Sequence, residues 1–210
     1  MRVLRKQFRS VFYLSGAALA AVLILSALPQ HAAPQSSQTG QAFEIDPAQS
    51  KVHWTLGTTL HTVHGTFALK RGVLQFDTST GKAAGEIVVD AASGKSDNDS
   101  RDKKMHKDVL ESARFTDIIF RPDRVEGKVA PQGDSAVQIN GVFLLHGKEH
   151  EFTVPVQATL TADHWTGTAK FSIPFIDWGL KNPSNWLLRV EHAVTVELEL
   201  KGTLQNPTPQ

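Results

Sequence analysis

Cysteine is missing from the 210 residues of this chain. Its absence excludes disulfides, thiol chemistry and a lipid-modified cysteine, so the folded part is held by its hydrophobic core. An excess of charge is missing too. The net charge is +1, and four of the positive charges, Arg2, Arg5, Lys6 and Arg9, precede the first acidic residue, Glu44. Without those four the remainder falls from +1 to about −3, which offers nucleic acid no basic face. Neither G-x-S-x-G nor H-E-x-x-H occurs, so nothing supports a nucleophilic hydrolase or a zinc protease. The carboxylate pairs Asp97/Asp99 and Glu149/Glu151 fall in expected loops or at a helix start, where capping and solubility explain them. The chain is expected to be no enzyme and to carry no cofactor.

Long uncharged apolar runs are confined to VFYLSGAALAAVLILSAL, residues 11–28, directly after the basic cluster. This is the layout of a targeting segment. His31 interrupts a clean small-x-small cleavage site, so a cleaved signal peptide and an N-terminal membrane anchor both stay open. The expected division is a signal or anchor over 1–33, a linker over 34–42, one domain over 43–203 and a tail over 204–210. Either reading of the first segment predicts a periplasmic or secreted domain, the anchor with membrane contact through its N-terminal segment.

Period-two alternation dominates from Phe43 onward. KVHWTLG sets Val52, Trp54 and Leu56 on one face; VHGTF sets Val63 and Phe67 with Gly65 between; GVLQFD pairs Leu74 with Phe76. Ile87 with Val89, Ile118 with Phe120, and Ile139, Gly141, Phe143 and Leu145 continue the pattern. Phe152, Val154, Val156 and Ala158 follow, then WTGTAKFSI with Phe171, then HAVTVELELKG. Such alternation marks half-buried antiparallel strands. Eight or more, separated by short turns near 77–81, 131–134, 146–149 and 162–163, predict an all-β sandwich or an up-and-down barrel.

Two stretches break the pattern. SDNDSRDKKMHKDVLESARF (96–115) predicts one short helix over 96–113, with Met105, His106, Val109, Leu110 and Ala113 as its apolar stripe and Asp97, Asp99 and Ser100 at its start. PFIDWGLKNPSNWLLRVEH (174–192) predicts a long connection with Trp178 and Trp186, either packed as a plug or functional. The helix is expected to lay its stripe on a barrel end.

Eight histidines lie in the domain: His53, His61, His64, His106, His146, His150, His164 and His192. On a strand His61 and His64 point to opposite faces and cannot chelate together. His146 and His150 flank a hairpin tip and could approach across it. With no recognisable ligand spacing, no metal site is expected. For Arg101 and Asp102 two readings stand, a polar gate for a lipid head group and an ordinary solvated ion pair.

The order of these features resembles the YceI-like family. FEIDPAQSKVHWTL carries I-D-x-x-x-S-x-V; VHGTF and GVLQFD carry V-x-G-x-F and G-x-L-x-F-D; Arg101–Asp102 opens the helix and Gly147–Lys148 tips a hairpin. The resemblance spans about 43–202. It implies an eight-stranded antiparallel, lipocalin-like barrel with one inserted short helix, and an interior tunnel for a polyisoprenoid-type lipid. The chain departs from the family at RDKKMH, where R-D-x-H-L is usual, and at Pro174–Phe175, where an Asp–Arg pair is usual ahead of Asp177–Trp178–Gly179.

The expected ligand wall is Val52, Trp54, Leu56, Val63, Phe67, Leu74, Phe76, Ile87, Val89, Met105, Val109, Phe120, Ile139, Phe143, Leu145, Val154, Phe171 and Trp178. The expected partner is an isoprenoid or other long-chain lipid, with a homodimer left open. Two alternatives remain from sequence: an envelope metal-binding or hydrolytic protein using surface histidines, and a ligand-free stress-response or interaction module with a filled barrel.

Overall fold

Residues 40–205 are described by the structure, a computed structural model. The expected signal peptide or anchor over 1–33 lies outside the described residues. The described residues form nine strands: β1 (Gly40–Ile45), β2 (Lys51–Gly57), β3 (Thr62–Asp77), β4 (Ala83–Lys95), β5 (Asp117–Glu126), β6 (Gly133–Leu145), β7 (Lys148–Leu160), β8 (His164–Ile173) and β9 (Val194–Gln205). Pairing starts at Gly40 and ends at Gln205, slightly beyond the expected limits of 43 and 203. The reason is that Gly40 has a backbone partner in Asp77, and Ala42 has one in Gln205.

Nine strands occupy eight positions in a closed antiparallel barrel. β1 pairs with the far half of β3 (Phe43 with Leu74) and of β9 (Phe43 with Leu204). β2 pairs with the near half of each (Val52 with Phe67 and with Leu198). The two are one interrupted strand, and β3 to β9 follow in order around the ring.

The I-D-x-x-x-S stretch makes the interruption. Asp46 Oδ1 accepts from the Ala48 amide at 2.9 Å, and Asp46 Oδ2 accepts from Gln49 Nε2 at 2.7 Å. These bonds, with Gln49 the larger influence, hold the Asp46 carboxyl below its ordinary pKa. Asp46 N still donates to Lys201 O at 2.8 Å. Beyond the break the Ser50 hydroxyl stands in for backbone, accepting from Lys201 N at 3.1 Å and donating to Lys201 O at 3.4 Å. Backbone groups in a sheet must find partners, and a serine supplies one where the chain has turned away.

Glycines sit where an inward ring needs the room. Trp54 is the cross-strand partner of Gly65, and a Cβ at 65 would collide with the Trp54 ring and with Lys95 O. Trp165 repeats the device opposite Gly202, whose Cβ would meet Glu44 O and the indole. Gly141 faces Pro122, where β5 is bulged; proline in a strand is tolerated at such a bulge. His146 and Gly147, with φ of 52° and 75°, form the two-residue turn between β6 and β7.

The helical segment is shorter than the sequence suggests. α1 spans Asp99–Lys104 and runs into a widened π-helical turn, Met105–Val109. Its cap is Asn98, whose side chain accepts from Arg101 N at 2.9 Å, in place of the expected Asp97, Asp99 and Ser100. Leu110 N bonds Met105 O, and Glu111 then takes φ 46°, which ends the helix. Ala113 therefore lies outside it and is exposed. α1, the β2–β3 and β6–β7 turns and the β8–β9 connection (174–193) share one barrel end, because hairpin turns alternate ends.

Two outcomes check this fold. Gly65→Ala is expected to lower stability by about 1–3 kcal/mol in urea melts, because backbone blocks the added methyl; an unchanged midpoint would contradict the close approach. Asp77, which accepts from Ser79 Oγ, Ser79 N and Thr80 N in the β3–β4 turn, is held down to about 2, the Ser79 hydroxyl being the main cause. A depressed carboxyl contributes stability above its ordinary value of 3.8 that is lost as pH falls toward about 2. NMR titration is expected to give Asp77 a midpoint near the lower value, and ordinary titration would show the turn unformed.

Candidate functional site

The inward faces of the strands do not meet. They enclose a cavity of about 590 Å³, inside the ~300–1,000 Å³ range of small-molecule pockets. Val52, Trp54, Leu56, Val63, Phe67, Leu74, Phe76, Ile87, Val89, Met105, Val109, Phe120, Ile139, Phe143, Leu145, Val154 and Phe171 all line it. Phe67, Leu74, Ile87, Val89, Ile139, Val156, Val196 and Leu198 point inward yet are only half-buried, because they face space rather than other side chains. Ile87, Ile139, Val156, Val196 and Leu198 lie midway, each packed against both buried clusters of the barrel.

One cluster gathers Phe43, Phe76, Val125, Val137, Leu160 and Trp165 toward the end away from α1, with Phe43 and Trp165 edge-to-face at 5.7 Å. The other gathers Val109, Phe120, Phe143, Leu145, Ile173, Phe175 and Leu180 at the α1 end. Polar lining is sparse. Thr58, His61, Ser100, Arg101 and Lys104 all come from the α1 end, which marks the mouth. Ser135, deeper in, is taken up by the Ala130 amide at 2.9 Å. Trp54 and Trp165 bury indole N–H groups without acceptors among the described residues. An unmet buried donor costs about 1–3 kcal/mol, which packing on glycine must offset.

Arg101, which lines the mouth, and Asp102 do not form the solvated ion pair considered from sequence. Both bind Ser96, the buried residue just after β4. Arg101 Nε donates to Ser96 Oγ at 2.7 Å and its guanidinium also reaches Ser96 O. Asp102 accepts from the Ser96 amide at 3.2 Å and from the Ser96 hydroxyl. His106 adds a second fastening: Nε2 donates to Gly94 O at 2.8 Å and Nδ1 lies 3.1 Å from Ser112 Oγ. His106 thus leaves the apolar stripe, of which Met105, Val109 and Leu110 face the cavity. Lys104 Nζ donates to Pro183 O at 3.2 Å, tying α1 to the β8–β9 connection across the mouth.

Trp178 is the one expected wall residue that lies elsewhere. Trp178 N bonds Pro174 O and Leu180 N bonds Phe175 O, winding 174–180 into a tight turn with Gly179 at φ 91°. That turn drives Phe175 and Leu180, both 5 % exposed, into the cavity wall. Trp178 is left stacked on His150 at 4.2 Å and edge-on to Phe152 at 5.7 Å, a plug behind the wall. Sequence reasoning also missed Trp165, although it shares the parity of Phe171 on β8. Irregular backbone at 174–180 left no period to expose Phe175 and Leu180.

The histidines do not converge. His64 Nδ1 lies 3.1 Å from Thr55 Oγ1, whereas His61 sits at the mouth. His146 packs on Phe115 at 4.3 Å and lies 3.2 Å from Glu111 Oε1, whereas His150 goes to Trp178. Among the described residues no three His, Cys, Asp or Glu side chains gather as a metal site would require. Burial, with a smaller contribution from Lys148, pushes the His150 pKa below its ordinary 6.5.

The YceI-like domain is matched over residues 43–202. Similar solved structures include BcnA of Burkholderia cenocepacia, 17% identical, TM-score 0.60, covering 75% of this chain and 98% of that one. A polyisoprenoid binding domain of Saccharophagus degradans, implicated in plant cell wall breakdown, is 15% identical with TM-score 0.60, covering 78% and 98%. The YCEI protein of Campylobacter jejuni is 14% identical with TM-score 0.53, covering 67% and 84%. At these identities the likeness is one of fold. No curated protein matches the chain.

A histidine whose pKa is lowered by folding stabilises the fold above its unfolded value, and that contribution fades as pH falls below it. Melting temperature is therefore expected to drop between about pH 7.5 and pH 5, with a shallower slope in His150→Phe, which keeps the stack and removes the proton. Identical slopes would show that the His150–Trp178 plug plays no part.

Proposed function

Because the chain belongs to the YceI-like family and its barrel encloses an apolar vacancy, we propose that it is an exported protein that sequesters an isoprenoid-type amphiphile. The cavity carries this reading: a wall of aliphatic and aromatic groups, with charge confined to one rim, suits a long apolar tail and a polar head. The S. degradans relative is described as polyisoprenoid binding, which supports the class of ligand. Residues 1–33 support export to the periplasm or beyond. Binding rather than catalysis is the activity proposed.

The driving force is burial. At ~25 cal/mol per Å², a tail burying ~400 Å² would gain on the order of 10 kcal/mol before ordering costs. Flat rings such as Phe67 and Phe143 offer contact area without hydrogen-bond demands. The tail would lie along the mid-barrel space, and the head group at the rim formed by His61, Arg101 and Lys104.

Gentle extraction followed by native mass spectrometry tests the proposal, with a co-purifying lipid, or uptake of an added isoprenoid quinone, as the expected result. Ile139→Trp, which fills the mid-barrel space, is expected to abolish uptake while leaving the melting temperature near wild type, since the ring enters a vacancy rather than a packed core. Protein that is empty on isolation and ignores added quinone would end this reading, and uptake undiminished in Ile139→Trp would place the lipid outside the barrel.

A further inference from the structure

Four large apolar side chains stand exposed among the described residues: Leu60, Val73, Trp186 and Leu187. Three of them share one place. Leu60 (69 % exposed) tips the β2–β3 hairpin, and Trp186 (94 %) and Leu187 (65 %) tip the β8–β9 connection. The two tips are joined: Thr59 N donates to Arg189 O at 3.0 Å, and Thr58 bridges Val190. Both flank the cavity mouth, since Thr58, His61, Leu188 and Val190 line it.

Neither tip is loose. Asn185 Oδ1 accepts from Leu187 N at 2.9 Å and Leu188 N at 2.7 Å, and Ser184 Oγ accepts from Val190 N at 2.9 Å. Thr58 Oγ1 accepts from Leu60 N and His61 N at 3.3 and 3.2 Å. Polar side chains of the turns are thus spent on holding an indole and two leucines in water. An apolar patch held out in this way marks a contact surface.

We propose that this rim docks the barrel mouth onto a phospholipid bilayer. Three features on the molecule select a bilayer. The patch is continuous with the mouth of an apolar cavity, so a docked barrel would open onto lipid. Tryptophan at an exposed tip suits the headgroup region, where its ring is apolar and its N–H wet. Arg189 lies between the two tips, and Lys104, bonded to Pro183 O, stands exposed beside them, as cations do over phosphate. Of the nearby acids, Asp108 lies 4.0 Å from Lys181 and takes that lysine, while Glu191 packs on Gly57, which leaves Arg189 and Lys104 to face phosphate. The proposal rests on the lipid reading of the cavity for its purpose; its test stands apart.

All four tryptophans lie in the barrel domain, and Trp186 is the fully exposed one. The full chain is mixed with phosphatidylethanolamine–phosphatidylglycerol vesicles carrying brominated acyl chains. A membrane-bound N-terminal segment has no tryptophan to be quenched. Tryptophan emission is expected to be quenched, the quenching largely lost in Trp186→Phe, and reduced about threefold in the double variant Leu60→Ser/Leu187→Ser. Unchanged wild-type emission, or equal quenching in Trp186→Phe, overturns the proposal. So does a concentration-dependent blue shift of Trp186 without vesicles, which would mark the patch as a contact between copies of this chain. Uptake of isoprenoid quinone from detergent is measured in parallel: a protein that binds quinone but shows no quenching loses only the docking, and one that docks but takes up no quinone loses only the carrier role.

Discussion

Where β1 gives way to β2, the Asp46 amide still reaches Lys201 O at 2.8 Å, and the Ser50 hydroxyl takes over the Lys201 N–H at 3.1 Å. The barrel closes across this break because β1 and β2 each pair with both β3 and β9. β1 and β2 together fill one position between β3 and β9, and an unmet gap there would admit water to the interior. With the ring closed, no strand edge is exposed on that side, and the inward side chains face the barrel interior.

Closure creates the space but does not fill it. Bulky rings collect toward the two ends, Phe43 and Trp165 at one, Phe143 with Phe152 and Trp178 at the other. The midsection is lined by smaller aliphatics such as Ile87, Ile139, Val156 and Val196. A barrel with this gradient is stable through its packed ends and keeps a vacancy between them. The helix completes the design. Ser96, Arg101, Asp102 and His106 fasten it to β4, and Lys104 ties it to the β8–β9 connection. The mouth thereby lies between anchored elements, with charge at its rim and apolar groups inside.

Most of the wall was legible because a strand has a strict period. Trp54, Phe67, Phe76, Phe143 and Phe171 follow from alternation alone. The family signature gained a physical account as well. Asp46 and Ser50 hold the strand break, Gly65 admits an indole, and the Arg–Asp pair fastens Ser96 with Arg101 also at the mouth. The helix was legible in place but not in length, since neither the π-helical turn at Met105–Val109 nor the positive φ of Glu111 shows in the apolar stripe.

What the sequence determined by itself was the alternation, the order of strands and the identity of the inward residues, because a period of two assigns each side chain a face before any partner is known. Tertiary structure alone decided whether opposite faces touch. It decided that Phe175 and Leu180 enter the wall while Trp178 stacks outside it on His150, and that Leu60, Trp186 and Leu187 meet at one rim. Those outcomes turn on distances between segments far apart in the chain, and a face is a local property whereas a volume is not.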